Sequence, residues 1–584
     1  MKKLSGVIFL LLVVVLLTVN ITVCGLFRGK DKSAARDSTE TDVKTKTAAS
    51  AESGQGLAAT WPEFAKRHEA QTACFEQGWT GPEKGKDFVT PEIEKRTNFL
   101  LKYEPVTVST QEDLNQKLNL MAASGDVPEI FFGATDTYSQ SIYSKLGAAG
   151  FIWDVAPLIK DYKNIYNLIE PELILYREKG SNANYFIPTQ TGKGNDLLHS
   201  PPQGLFVRED FIKKLNMNYP STPEELYTYL KRCKEEIKTV SGKPLIAFTC
   251  DENFLGLEWA LVYPFWPINP ESNPTIGFTF DIHANFKVVN YIYTDSPELM
   301  RAAKFVNKLY REGLIDREIL THKRAQFQEK VSTGRVAAMG APWWDMNSFS
   351  DNAKTIVPEL MYVAPPPIFD KANGVPKYPD DKWTNWIGCY SALIISKKLP
   401  EETVRHFLAL LDYLATREGQ VLIQVGIENQ NFTYNSSGKY VFTDEFKKMT
   451  DNLDWNKAAS YGVFYWQQFV FNLPVFDDLR AEYPELIRED NRKGWENWKY
   501  RRDRYDPTMK PDKTYYFLPG PIEREKLPSI DEARNEMWVK VLLAKSEAEV
   551  EKVIHAWGTN CKNLGIDKIA AERQNYLGSL DIGY

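Results

Sequence analysis

Histidine and cysteine are scarce in this chain, with six of each in 584 residues. The histidines, His68, His199, His283, His322, His406 and His555, lie far apart and show no H-E-x-x-H or related zinc spacing. Cys74, Cys233, Cys250, Cys389 and Cys561 are odd in number and also lack metal-type spacing, and the sequence leaves open which of them an exported protein would pair. Basic excess is missing too. Lys plus Arg total 71 against 77 Asp plus Glu, a formal charge of −6, which removes the electrostatic case for nucleic acid. There is no G-x-S-x-G elbow, and Gly192-Lys193-Gly194 lacks the remainder of a phosphate loop, so it reads as a turn. Glycan hydrolysis needs two carboxylates at a set separation, and no motif singles out a pair among the 77 acids. The expectation is a chain that is not an enzyme.

Long hydrophobic runs are absent with one exception, which lies at the start. Lys2 and Lys3 precede an uncharged stretch from Leu4 to Phe27, with Cys24-Gly25 near its end. A basic region, an apolar region and a cysteine at the exit read as an export signal of the bacterial lipoprotein kind (residues 1–24). In that scheme Cys24 carries the lipid, a palmitate-type fatty acid, and residues 25–56, charged and small, form a flexible tether outside the membrane. Val23 departs from the small residue usual before the cysteine. The alternative is an uncleaved anchor, since roughly 20 apolar residues span a bilayer. Residues 57–584 then read as a water-soluble body, and the whole chain has ordinary composition, 43% hydrophobic and 25% charged. Its unusual quantity is aromatic content, 13%.

The body begins with alternating helix and strand signals. Thr90-Pro91-Glu92 starts a helix, Phe99–Val108 reads as a strand limited by Pro105, and Thr110–Ala123 as an amphipathic helix stopped by Gly125. Asp126–Phe132 leads into a short buried strand. This order indicates a parallel α/β sheet. A second unit begins near 204: strand Leu205–Val207, a capping box at Thr222-Pro223-Glu224-Glu225, a helix carrying Leu226, Leu230, Cys233 and Ile237 and ended by Gly242, and strand Leu245–Phe248. Cys233 falls in step with the apolar face, so a buried inert thiol is expected there. Ser296-Pro297-Glu298 starts another helix, residues 325–352 read helix, strand, helix, and Leu393–Ser396 with Glu401–Ala415 read strand, helix. Beyond about 430 the signal turns to loops, aromatic clusters and helices.

Several of these segments together resemble the bacterial extracellular solute-binding proteins of ABC importers, family 1, the maltose- and oligosaccharide-binding group, and its longer lipoprotein branch above all. The segments are Lys117–Ile130, Leu205–Phe211 with Pro220–Leu226, Arg324–Met339, and Phe407–Leu414 followed by Glu418-Gly419-Gln420 and Gly426-Ile427-Glu428. Each is weakly specific alone, and their shared order across most of the body carries the resemblance. It implies a two-lobed α/β periplasmic-binding-protein-like fold with a ligand cleft between lobes, plus a helical and loop-rich C-terminal part. The lobes would be 57–203 and 391–430 for the first, 204–390 for the second, with 431–584 completing the second lobe and adding C-terminal helices and loops. The resemblance further implies a monomer that captures a carbohydrate, an oligosaccharide by expectation, by hinge closure and delivers it to ABC permease subunits. The protein would face outside the cytoplasm on its lipid anchor. No cofactor is implied. A structural calcium ion is compatible with a long member of this branch, but no loop with EF-hand spacing supports it.

Sugar recognition needs aromatic faces for the C–H side of a pyranose and polar groups for its hydroxyls. Gly340-Ala341-Pro342-Trp343-Trp344-Asp345 follows a predicted strand, and strand ends are where open α/β sheets place ligands. Pro342-Trp343 matches the sugar-stacking Pro-Trp of the maltose-binding relatives, with Trp344 and Asp345 carried by position only. The loop Gly133–Tyr138 also leaves a strand end and offers Asp136, although Asp136 or Thr135 would equally cap the next helix. Trp386 and Tyr390 precede the strand returning to the first lobe. Trp259, Tyr263, Phe265 and Trp266 suit either the cleft or the core. Arg208 and Glu428 sit in family-like motifs, with a structural salt bridge as the competing role.

Overall fold

The computed structural model describes residues 54–76, 81–107, 111–135, 137–178, 181–191, 204–266, 278–281, 287–373, 389–451, 453–470, 475, 489–498 and 520–579. The expected signal, Cys24 and nearly all of the tether lie outside these. The described chain begins within the expected tether as one helical turn, Gly54–Leu57, with Leu57 buried.

In chain order the main elements are β1 (His68–Glu76), α1 (Val89–Thr97), β2 (Phe99–Thr107), α2 (Gln111–Ser124), β3 (Ile130–Ala134), α3 (Thr137–Ala148) and β4 (Ile187–Thr191). There follow β5 (Gly204–Arg208), α4 (Pro223–Arg232), β6 (Ile246–Cys250), α5 (Pro297–Arg311), α6 (Arg324–Ser332), β7 (Val336–Ala341), α7 (Trp343–Lys354) and β8 (Tyr362–Val363). The chain continues with β9 (Cys389–Ile395) and α8 (Glu401–Leu414), then α9 (Pro521–Leu543), α10 (Glu547–Leu564) and α11 (Ile566–Ser579).

A five-stranded sheet runs β2-β1-β3-β9-β4, and a four-stranded sheet runs β8-β5-β7-β6. In the first, β1 is parallel to β2 (His68 opposite Phe99) and to β3 (Thr72 opposite Ile130), while β9 is antiparallel to β3 and β4. In the second, β7 is parallel to β6 (Ala338 opposite Phe248) and antiparallel to β5 (Ala341 opposite Gly204). Pro105 sits on β2, the edge strand, where a missing N–H is tolerated. Helices cover both faces of each sheet, so strand residues alternate between two buried layers. Ile130 and Phe132 enter one core cluster and Phe131 the other, as do Leu393 and Ile395 against Ile394.

The helix starts read from the sequence have their physical basis here. Thr222 Oγ1 accepts from Glu225 N at 3.2 Å and Ser296 Oγ from Leu299 N at 3.1 Å. Cys233 is fully buried, and burial pushes its thiol up to about 12. Two details differ. The helix before Gly242 ends earlier, at Ile237, and the chain turns through Gly242 in a hairpin, Thr239–Val240 against Lys243–Pro244. The core residues described between Phe432 and Val475 pack in the first lobe rather than the second. Phe432, Phe442, Tyr465, Trp466 and Phe469 join Ile130 and Leu393 in one core. The C-terminal helices join the second lobe, where Leu527, Trp538, Ile554 and Ile569 pack with Phe248 and Val306. An aromatic cluster without periodicity buries against whichever apolar face adjoins it, and its sequence does not name that face.

Candidate ligand-binding edges of the two lobes

Strand direction places the candidate site. β1, β2, β3 and β4 all finish on one edge of the first sheet, where β9 begins with Cys389 opposite Thr191. β6 and β7 finish on one edge of the second sheet, where β5 begins with Gly204 opposite Ala341. The chain passes from β4 to β5 and later back to β9, so its passages between sheets leave and arrive at these C-terminal strand edges. That is the position at which open α/β sheets receive ligands.

On the second lobe, β7 runs through Gly340 and Ala341 to Pro342, and Trp343 is the first residue of α7. Gly340 and Gly256 pack backbone on backbone. A Cβ on Gly340 would lie 2.0 Å from the Gly256 carbonyl oxygen, and one on Gly256 would lie 2.2 Å from that of Gly340. Only glycine lets the segment after β6 close over the end of β7. Trp343 is half-buried. It packs against the cluster of Phe206, Phe327, Met339 and Met346 and keeps part of its ring open. Trp344 is helical, but its side chain lies outside the described residues.

Charged side chains hold this edge. Asp251 directly follows β6 and Asp345 is the third residue of α7; both are bound by Arg324, the first residue of α6. Arg324 Nη1 donates to Asp251 Oδ2 at 2.7 Å and to Asp345 Oδ2 at 3.0 Å, and Nη2 to Asp345 Oδ1 at 2.6 Å. Burial lifts the Asp345 carboxyl above its ordinary value, while Arg324 pulls the other way. Beneath them, Lys330 Nζ reaches Asp316 Oδ2 at 2.6 Å and His322 Nδ1 at 3.2 Å, and His322 Nε2 meets the Cys250 carbonyl at 2.8 Å. That carbonyl can only accept, so Nε2 carries the proton and Nδ1 accepts from Lys330. Of these residues, sequence reasoning singled out Asp345 alone as a site candidate, and not its bond to Arg324. The detectable signal was a cation at the first position of a helix, where the dipole disfavours it unless carboxylates are near.

The structure places the other candidates as follows. Arg208 is 1% exposed. Its Nε donates to Asp210 Oδ1 at 2.7 Å, other guanidinium nitrogens bond Asp210 and the Gly334 carbonyl, and Phe211 lies 3.9 Å beneath the guanidinium carbon, so it braces the lobe interior. Tyr263, Phe265 and Trp266 are buried in the second lobe's core, with Trp266 stacked on Tyr291 at 5.3 Å. Trp259 stays half-buried beside Gly204, at the strand-end edge. Glu428 is exposed, in the loop ahead of the hairpin Phe432–Tyr434 and Tyr440–Phe442. Among the aromatics beyond 430, Tyr461 is half-buried, and Tyr465 and Trp466 are first-lobe core. Thr135 Oγ1 donates to the Cys389 carbonyl at 2.7 Å, tying β3's exit to β9's start rather than capping α3. Asp136 and Trp386 lie outside the described residues, as does the Tyr390 side chain. Among the described residues, no three His, Cys, Asp or Glu come together to hold a metal ion, and no helix is long and apolar enough to cross a membrane.

The profile of bacterial extracellular solute-binding proteins matches residues 91–425, more than half of the 584-residue chain. The chain belongs to this family. Among curated relatives of this solute-binding protein, Lipoprotein LipO of Bacillus subtilis is 24% identical over 404 residues, covering 67% of this chain and 72% of that protein. The polygalacturonan/rhamnogalacturonan-binding protein YtcQ of the same organism is 25% identical over 421 residues, covering 70% and 75%. Among solved structures, the ABC-transporter substrate-binding protein FusA of Streptococcus pneumoniae in complex with kestose aligns with a TM-score of 0.59 at 14% identity, covering 88% of this chain and 99% of that one. The shared fold is the two-domain solute-binding architecture, which the two sheets and their paired strand-end edges embody.

Proposed function

We propose that this solute-binding protein is an extracytoplasmic, lipid-anchored receptor that captures an oligosaccharide between its lobes and passes it to an ABC importer. The observation that carries this reading is Trp343. An aromatic ring stands at the end of β7, backed by a small apolar core and partly open, on the edge where the chain crosses between lobes. A ring held in this way offers its face to the C–H side of a sugar. The family relationship supports solute binding outside the cytoplasm. The names of YtcQ and FusA, which bind polygalacturonan or rhamnogalacturonan and fructo-oligosaccharide, support a glycan as the solute. Trp343 and Trp259 are assigned as sugar contacts from the second lobe, with Asp136, Trp386 and Tyr390 as their counterparts from the first lobe and the crossings. Ligand touching both lobes shifts the open–closed equilibrium toward closure.

Thermal-shift screening against fructo-, galacturonan and other oligosaccharides tests the reading, because a ligand of the folded state raises its stability by mass action. The expected result is a raised melting temperature for one glycan class with its chain length unchanged by mass spectrometry. Shortened glycan, or no binder in the panel, overturns the proposal. For the anchor, Cys24→Ala is expected to abolish fatty-acid labelling, and label persisting in that variant removes the lipoprotein assignment.

A further inference from the structure

Arg324 stands at the first position of α6, an unfavourable place for a cation that is offset by the two carboxylates it bridges. One of them, Asp251, directly follows β6, and the other, Asp345, lies in the first turn of α7, two residues beyond Trp343. We propose that Arg324 is a positioning residue for ligand binding, fixing the Trp343 ring by clamping the first turn of α7 to the end of β6. This rests on the assignment of Trp343 as a sugar contact.

Three observations converge. Both Asp345 oxygens are held by the same planar fork, at 2.6 and 3.0 Å, so the helix turn is fixed in rotation as well as in distance. The Asp345 side chain is 8% exposed and the Arg324 side chain 27%, so the clamp is largely shielded from solvent. Trp343 opens the helix turn that Asp345 closes two residues on, so clamping that turn sets where the ring lies against its cluster. A lysine at 324 offers a point charge and cannot reproduce a fork that reaches two carboxylates at once. Asp345 thereby acts through Arg324, with both carboxylate oxygens already engaged.

The test uses the full chain and the tightest binder from the fructo- and galacturonan-oligosaccharide panel. In ligand-free protein, Arg324→Gln is expected to speed amide hydrogen exchange in the segment 343–354 by about ten-fold or more and leave the α8 segment unchanged. Affinity should fall by about ten-fold, with Arg324→Lys intermediate in both readouts. In a Trp343→Ala background the same substitution should cost less than about two-fold, because coupled residues are non-additive. Unchanged exchange at 343–354, or a full loss of affinity with Trp343 already absent, overturns the positioning role while Trp343 remains a contact. Wild-type affinity in Trp343→Ala alone removes the contact itself. If Arg324→Gln does not fold, Arg324→Lys carries the same cycle.

Discussion

Two buried polar clusters, one in each lobe, stand at opposite ends of their sheets. In the first lobe, His406 on α8 sits where β1 and β2 begin, beside His68 and Phe99. Its Nε2 donates to the Thr97 carbonyl at 2.8 Å, so its Nδ1 accepts from His68 Nδ1 at 2.7 Å. Asp412, further along α8, accepts from Trp61 Nε1, Asn164 Nδ2 and Ile165 N at 2.9–3.0 Å and binds the N-terminal segment to the lobe. In the second lobe the Lys330–Asp316–His322 group and the Arg324 clamp stand where β6 and β7 end. Polar chemistry at strand starts seals the fold, and the same chemistry at strand ends holds the surface that meets a ligand. Breaking the first is expected to change stability alone, and breaking the second to change both stability and the site.

The largest effect should come from the second lobe. Lys330→Met leaves Asp316 buried without its cation and is expected to cost about 3–5 kcal/mol of stability by chemical denaturation. A loss near zero would mean that solvent already screens the Asp316 charge. Trp343→Ala should weaken glycan binding by about 2–4 kcal/mol by titration calorimetry, with cooperative melting retained. Lost cooperativity with unchanged affinity per folded molecule would place the ring in the core.

The histidine cluster sharpens the contrast from the other side. Burial lowers His406 to about 4, below the 6.5 of a free histidine. The unfolded chain therefore takes up this proton first, and stability falls as pH drops from 6.5 toward 4. The expected loss is up to about 3 kcal/mol, complete near the lower value. His406→Gln should flatten that window in a pH series of melts, without altering glycan affinity at neutral pH. The smallest effect belongs to a local device away from either cluster: Thr222→Ala removes the cap of α4 and should cost about 1 kcal/mol, with affinity unmoved.

Legibility in the sequence followed the range of the interactions. The starts at Thr222 and Ser296, the strand-then-helix run from Val336 to Lys354 and the buried thiol of Cys233 were readable, because caps, turns and periodicity act over a few residues. β1 escaped notice. His68–Glu76 has a weak strand composition, yet it pairs on both sides in the middle of its sheet, since strand preference yields to the neighbours a strand meets. Arg208 and Asp345 were found as residues but not in their roles, because a charge's partner lies outside the local pattern: Asp210 and the Gly334 carbonyl in one case, Arg324 in the other.

By itself the sequence determined the α/β class, the family and the strand end that carries Trp343. These depend on short-range patterning and on the order of motifs along the chain. Only the tertiary structure decided that Phe432, Trp466 and Phe469 join the first lobe's core, that Tyr263 and Trp266 are core of the second, and that one guanidinium joins the end of β6 to α7. Burial and ion pairing are set by whichever distant segments pack together, and neither hydrophobic nor Coulombic attraction names its partner in advance.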